Sequence, residues 1–257
     1  MTAVDVVLHL ASASPVHYRR LSLETMLANS EGTRRLLDIS CARGARFLYA
    51  STSEVYGDPL EHPQGESYWG HVNPVGPRAC YDEAKRFGEA LTMEYRRRRT
   101  VNAGIVRIFN TYGPRMATDD GRAVPAFIAA ALDGGPMPIH GDGGQSRSLC
   151  YVSDLVEALL LVAFDRDADG EVFNIGNPHE VTMLDLARTV ARLAGRADAM
   201  DFLPRTVDDP ERRRPDISRM RSRYGWVPRV HLEDGLRRTI AWFRACRPAA
   251  AAAGDGG

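Results

Sequence analysis

The chain opens on a short β-branched run, Val4 to Leu10, that ends in the small residues Ala11 to Ser14 and then Pro15. This pattern predicts a buried strand that runs into a loop. Leu21 to Arg43 carries apolar residues at helical spacing. It predicts one amphipathic helix, stopped by Gly44, with Leu23, Met26, Leu27, Leu36, Leu37 and Ile39 as core positions. Strands follow at Arg46 to Ala50 and Val101 to Ile108, separated by a Pro/Gly-rich loop (Asp58 to Pro77) and a helix that begins near Tyr81. Strands alternating with helices imply a parallel sheet with right-handed crossovers.

Beyond Asp119 the alternation quickens. Helices are predicted at Arg122–Asp133, Leu155–Phe164, Met183–Leu193, Asp216–Tyr224 and Leu232–Cys246. Short strands are predicted at Met137–His140, Arg147–Val152, Glu171–Ile175 and Met200–Leu203, and Pro204–Pro215 reads as a polar loop. Ser153-Asp154 and Thr182 are read as helix caps. The expected architecture is α/β: a doubly wound parallel sheet over residues 1–120, a smaller α/β lobe over 121–247, and a disordered Ala/Gly-rich tail over 248–257.

Composition narrows the function. The 257 residues are 44% hydrophobic, and 33 Lys+Arg balance 33 Asp+Glu, so no overall field draws the chain to nucleic acid or to a membrane surface. Arg96 to Arg99 ends a helix, where cations complement the dipole. Cys41, Cys80, Cys150 and Cys246 lack metal-ligand spacing and read as buried, reduced thiols of a cytoplasmic protein. No apolar run reaches the roughly 20 residues of a membrane span.

The chemistry lies at strand ends. Ser51-Thr52-Ser53-Glu54, Tyr81 with its helix, and Phe109 to Arg115 each follow a predicted strand or open a helix beside one. In such sheets the carboxyl ends of the strands form the ligand crevice. Tyr81 and Lys85 stand one helical turn apart, about 5–6 Å at Cβ. A nearby ammonium favours a phenolate, which makes the pair a candidate general base near neutral pH.

These motifs in this order resemble the extended short-chain dehydrogenase/reductase superfamily. Within it the chain is most similar to the UDP-glucuronate decarboxylases, also called UDP-xylose synthases. The phrases that carry the likeness are Ser51 to Pro59, Asn73 to Glu83, Arg107 to Arg115 and Asp208-Asp209-Pro210. Sugar dehydratases of the superfamily typically have Asp where this chain has Ser53, and epimerases typically lack a glutamate at Glu54.

The resemblance implies decarboxylation of a nucleotide-linked glucuronate through transient oxidation at C4 by NAD. Tyr81 is then the base, Lys85 its partner on the cofactor ribose, and Thr52 a hydrogen-bond relay. Ser53 and Glu54 are expected near the C5 carboxylate, where Glu54 is either a water-positioning group or a structural acid. Arg213 is the expected electrostatic group, with Arg212 and Arg214 as alternatives. Leu10, Ala11, Ser12, Asn29, Ser51, Thr111 and Arg115 are the further cofactor contacts implied. Asn110, Val124, Ile139, His140 and Arg147 are the implied contacts to the nucleotide sugar, with Ile139 and His140 beside the base. A homodimer through the Tyr81 helix and the preceding helix is also implied.

Two departures stand out. The family's opening strand, Gly-x-x-Gly-x-x-Gly turn and two further β/α units have no counterpart in this sequence, and Val4 to Leu10 corresponds to the fourth strand. The usual Lys-Thr-Asn is Leu27-Ala28-Asn29. NAD binding by this chain and its substrate choice are therefore left open. The other functions weighed are a 4-epimerase, a 4,6-dehydratase, and a silent fragment that acts as a binding or oligomer partner.

Overall fold

The computed structural model describes residues 3–12, 20–98, 101–118, 121–205 and 209–247. The tail from Pro248, Asp208, Arg99, Asp119 and the loop residues Ala13, Ser14 and Pro15 lie outside them.

The first half builds β1 (Val6–His9), α1 (Ser22–Leu27), α2 (Thr33–Arg43), β2 (Arg46–Thr52), α3 (Ala79–Arg97), β3 (Ala103–Ile108) and β4 (Thr111–Tyr112). The second half builds α4 (Ala123–Asp133), β5 (Met137–His140), β6 (Ser146–Ser148), β7 (Cys150–Tyr151), α5 (Val152–Phe164), β8 (Val172–Ile175), β9 (Glu180–Thr182), α6 (Met183–Ala194), β10 (Met200–Leu203), β11 (Arg212–Arg213), α7 (Ser218–Tyr224) and α8 (Leu232–Cys246).

The main sheet is parallel in the order β1-β2-β3-β8. All seven residues of β2 are buried, as a strand covered on both faces must be. Thr52 pairs in register with Ile108, so the chains leaving β2 and β3 emerge side by side at one end of the sheet. One face packs Leu48, Ala50, Val106 and Phe173 against Ala158, Val162, Met220 and Trp226. The other packs Phe47, Tyr49 and Ile105 against Leu37. A separate core joins α4, α6 and α8 through Ile128, Ile139, Leu186, Val190, Leu236 and Phe243.

The sequence division at 120/121 is not a clean cut. β8 is the fourth strand of the first sheet, and α5 and α7 cover its face.

Four expectations need correction. The segment from Leu21 to Arg43 is two α-helices joined by a widened turn over Ala28–Gly32. Its buried stripe is Thr25, Asn29, Thr33, Leu37 and Ser40, whose hydroxyls and amide are satisfied by carbonyls one turn back. Leu23, Met26, Leu27 and Ile39 point outward instead. Arg147 to Val152 is not one strand but β6, β7 and the first residue of α5. Asp154 is not a cap: it lies in the first turn of α5, buried, and accepts the backbone N–H groups of Arg229 and Val230 at 3.0 and 2.9 Å. None of the four cysteines is in a disulfide, but Cys150 alone is buried and Cys246 is exposed. Thr182 does cap α6, accepting the Asp185 N–H at 3.0 Å.

Gly88 governs how α3 meets the sheet. A Cβ there would stand 2.2 Å from the Tyr49 hydroxyl, so only glycine lets the ring of β2 lie against the helix. Tyr49 then reaches across to donate to Asn29 Oδ1 at 3.2 Å.

Candidate active site

A cavity of about 400 Å³ opens where β2 and β3 end. Residues from both halves line it: Leu10, Ser12, Ser51, Thr52, Ser53, Glu54, Tyr81, Lys85, Asn110 and Thr111 from the first, Val124 and Arg147 from the second. The sheet explains part of this convergence, because Leu10 and Ser12, Ser53 and Glu54, and Asn110 and Thr111 each follow a strand that terminates at the same end.

Thr52 ends β2 and caps the short helical turn Ser53–Tyr56, its Oγ1 accepting the Glu54 N–H at 3.2 Å. That bond uses the oxygen as an acceptor, and the hydroxyl hydrogen remains for an oxygen in the cavity. Lys85 is buried, donates to the Ala50 carbonyl at 2.8 Å, and sits 5.1 Å from the Tyr49 ring centre and 6.0 Å from that of Tyr81. Burial brings its pKa down to about 8, against the opposing pull of Glu89 one turn on. Glu89 is itself gripped by Arg107 at 2.9 and 2.8 Å and accepts the Ser51 hydroxyl at 2.5 Å. The Ser51 hydroxyl is thus committed to Glu89.

His9, at the end of β1, faces the same lysine. Its Nε2 meets Thr33 Oγ1 at 3.1 Å, and burial followed by the Lys85 charge lowers its pKa to about 4. The imidazole is neutral at physiological pH.

A second group of residues at the cavity is ionic. Glu54 accepts Arg78 Nη2 at 2.5 Å and both terminal nitrogens of Arg213, one of them at 3.0 Å. Burial disfavours its charge, but Arg213 and then Arg78 outweigh burial and hold the carboxyl at about 2. Asp82, next to Tyr81, is pushed up to about 7 by burial first and by the Glu54 charge second. Arg147 pairs with Asp209 at 2.7 Å and donates to its neighbour's carbonyl on Ser146 at 2.8 Å.

Several expected contacts lie elsewhere. Arg213 stands behind Glu54, 3% exposed, and does not line the cavity. Ile139 is wholly buried in the second core and His140 is exposed, with Nδ1 3.0 Å from the Pro204 carbonyl. Strand alternation forces this split: Met137 and Ile139 face inward and His140 outward. Their side chains do not reach the cavity. Asn29 is buried, and its Nδ2 donates to Ser12 Oγ at 3.0 Å; it is not among the lining residues. Ala11 and Arg115 are not among the lining residues, and Arg115 has a left-handed backbone with φ 68°. Arg212 is exposed, while Arg214 donates its backbone N–H to Gln64 Oε1 at 2.8 Å.

Sequence reasoning missed Arg78, Met116, Arg122, Leu149, Met183 and Leu186, all of which line the cavity. Arg78 carried a signal, since it immediately precedes the Tyr81 helix. The apolar members read only as core.

Comparison with known proteins agrees with this geometry. Residues 1–176 match the model of the NAD dependent epimerase/dehydratase family. The chain is 51% identical over 242 residues to UDP-glucuronic acid decarboxylase 1 of Arabidopsis thaliana, covering 94% of this chain and 55% of that protein. UDP-glucuronic acid decarboxylase 6 of the same plant is 50% identical over 91% of this chain and 68% of its own length. The chain therefore spans about half the length of the first of these relatives and about two thirds of the second. Among solved structures, a UDP-glucose 4-epimerase from Thermotoga maritima with UDP-glucose superposes with a TM-score of 0.85 at 30% identity, covering 93% of this chain and 77% of that one. A dTDP-glucose 4,6-dehydratase from Streptomyces venezuelae with NAD bound superposes equally well, at 0.85 and 28% identity, over 95% of this chain and 74% of that one. With sheet order, strand-end cavity and sequence all in accord, the chain belongs to the NAD dependent epimerase/dehydratase family, in the branch that holds the UDP-glucuronic acid decarboxylases.

Proposed function

We propose that the cavity performs NAD-dependent decarboxylation of a UDP-linked glucuronate. The observation that carries this reading is the meeting of two walls: Tyr81, Lys85 and Thr52 on one, Glu54 and Arg78 on the other. The first suits proton transfer at a hydroxyl. The second suits a carboxylate one carbon away.

The residues present fit the nicotinamide-ribose end of the cofactor: the Lys85 ammonium and the Ser12 hydroxyl stand near apolar Leu10 on one side of the cavity. NAD bound there would supply the hydride acceptor that oxidises the sugar at C4 and gives the hydride back. Tyr81 takes the C4 hydroxyl proton and later returns it. Lys85, charged below about pH 8, steadies the phenolate. Thr52 donates to the same oxygen. A ketone at C4 makes the C5 carboxylate a β-keto acid, whose electrons flow into the ketone as carbon dioxide leaves. Poor solvation favours the loss of that charged group. Glu54, held ionised by its two arginines, positions the water that reprotonates C5.

The diphosphate suits the first turn of α4, where Arg122, Ala123 and Val124 line the cavity at a helix N-terminus. Asn110 and Arg147 stand beside it. Thr111 serves the cofactor side.

A homodimer belongs to the same proposal. Leu23, Leu27 and Phe87 are 71%, 57% and 51% exposed on neighbouring helices α1 and α3. A cytoplasmic location fits four cysteines that form no disulfide, and among the described residues no helix is long and apolar enough to cross a membrane.

The test is incubation of the chain with NAD and UDP-glucuronate labelled at C6. Release of labelled carbon dioxide with a UDP-pentose product is expected. Retention of the label in UDP-galacturonate instead would reassign the site to epimerisation.

A further inference from the structure

Behind the Glu54 wall stands a carboxyl group that the reaction outlined above leaves unused. Asp82 follows Tyr81 in the first turn of α3 and is 6% exposed. Its Oδ1 is buried and accepts no hydrogen bond, and its Oδ2 lies 3.9 Å from Nε of Arg78. An ionised carboxylate needs donors on both oxygens, whereas a protonated one tolerates a bare oxygen far better.

The surrounding charges are unevenly shared. Glu54, on the turn after β2, holds Arg213 of β11 and the Nη2 of Arg78. Arg147 of β6 acts on the Glu54–Arg213 pair from the second half of the chain. On its own segment Asp82 faces Arg78, Glu83 and Cys80. Glu54 has first claim on both guanidinium groups, so the proton in this cluster falls to Asp82. With Asp82 neutral, the two arginines and Glu54 leave one net positive charge beside the cavity. With Asp82 ionised, that charge is cancelled.

We propose that Arg78, Arg213, Glu54 and Asp82 form one anion subsite whose net charge is set by a proton on Asp82, and that this proton is taken up when a carboxylate-bearing nucleotide sugar binds. The subsite selects a uronate over the neutral hexose of the same nucleotide. Arg78 and Glu54 face the ligand; Asp82 is a positioning residue that acts through Arg78. The inference rests on the nucleotide-sugar reading above and adds a mechanism of selection to it.

Because Asp82 titrates near neutrality, selection weakens as pH rises. Calorimetric titration of the chain and UDP-glucuronate, with NADH in place of NAD so that no sugar is oxidised and no decarboxylation consumes a proton, in two buffers of different ionisation enthalpy, reads proton uptake directly. Uptake of about half a proton is expected for UDP-glucuronate at about pH 7, where Asp82 of the unliganded chain is already about half protonated, and none for UDP-glucose. The preference for the uronate is expected to fall roughly tenfold between about pH 6 and about pH 8.5. Asp82→Asn keeps the shape, and its preference should be flat with pH and without proton uptake. Zero uptake by the unaltered protein overturns the inference whatever the variant does, as does a folded Asp82→Asn that keeps the pH dependence. If UDP binds but both sugars bind equally at every pH, the subsite is wrong while the substrate class stands. If neither UDP nor either sugar binds, the substrate class falls and the subsite with it.

Discussion

Arg213 reaches Glu54 across 159 positions of sequence, placing Nη2 3.0 Å from Oε2 while Nη1 holds Oε1. Arg213 is buried and Glu54 is half-buried, and the pair ties β11 to the turn after β2. Removing one partner of a buried ion pair leaves the other uncompensated and costs about 3–5 kcal/mol. Arg78 remains on Glu54 in Arg213→Ala, which places the expected loss near the bottom of that range. Urea denaturation measures it. Arg213→Ala should also slow carbon dioxide release far more than substrate oxidation, because the carboxylate wall is loosened and the Tyr81 wall is not. Equal loss of both steps would place Arg213 in general scaffolding.

Lys85 is expected to give the proposed activity an alkaline limit. Its proton leaves at about pH 8 because burial disfavours the ammonium. As pH rises through that value, the charge that steadies the Tyr81 phenolate disappears and kcat should fall. Weakening Glu89, which supports the charge, should move that limit to lower pH, and Glu89→Gln tests it by a pH profile of kcat. Tyr81→Phe, which keeps the ring and removes the base, should lower kcat by roughly 10²–10⁴ at all pH values. An alkaline limb unmoved in Glu89→Gln would detach Lys85 from it.

Gly88→Ala is expected to destabilise, although alanine is the better helix former by about 1 kcal/mol. The new methyl meets the Tyr49 hydroxyl at 2.2 Å, and the ring must shift. Overpacking of this kind costs about 1–3 kcal/mol. The shift would also break the Tyr49–Asn29 bond and move the ring from Lys85. A lower melting temperature with an altered pH profile is the expected pair of results. Higher stability would mean that the ring relaxes freely.

The parts of the site that were legible from sequence are those set by strand ends. Ser51, Thr52, Glu54 and Asn110 follow β-runs, and a parallel sheet gathers such segments without further information. Tyr81 and Lys85 were legible from helical spacing. Arg213 was named, but its place behind Glu54 depends on β11 pairing with β6, a two-residue ladder with no signature of its own. Ile139 and His140 show the limit of strand alternation: it predicts that one faces inward, not which. The buried stripe of α1 and α2 was misread because its inward residues are Thr25, Asn29 and Thr33. Their side chains satisfy backbone carbonyls and so enter a core that hydropathy would deny them.

The outward leucines left by that misreading bear on assembly. Leu23 and Leu27 lie one turn apart on α1, beside α3 with Phe87. A double change to Leu23→Glu and Leu27→Glu places charge on this face without touching either core. Sedimentation velocity should then show a monomer where the unaltered chain shows a dimer. An unchanged sedimentation coefficient would move the interface elsewhere.

His9 makes the fold sensitive to acid. In the unfolded chain it binds a proton near 6.5, whereas in the folded protein burial and Lys85 delay protonation until about 4. Between those values the unfolded state holds more protons, so stability is full above pH 6.5 and declines as pH falls towards 4. His9→Gln removes the titrating ring and keeps an amide that can meet Thr33 Oγ1, the present partner of Nε2. Denaturation of both proteins at several pH values between about 4 and 7 isolates the effect, since every carboxylate is common to the two. The variant should be less stable at pH 7 and lose less on acidification. Parallel decline of the two curves would show that His9 takes up its proton equally in the folded and the unfolded chain.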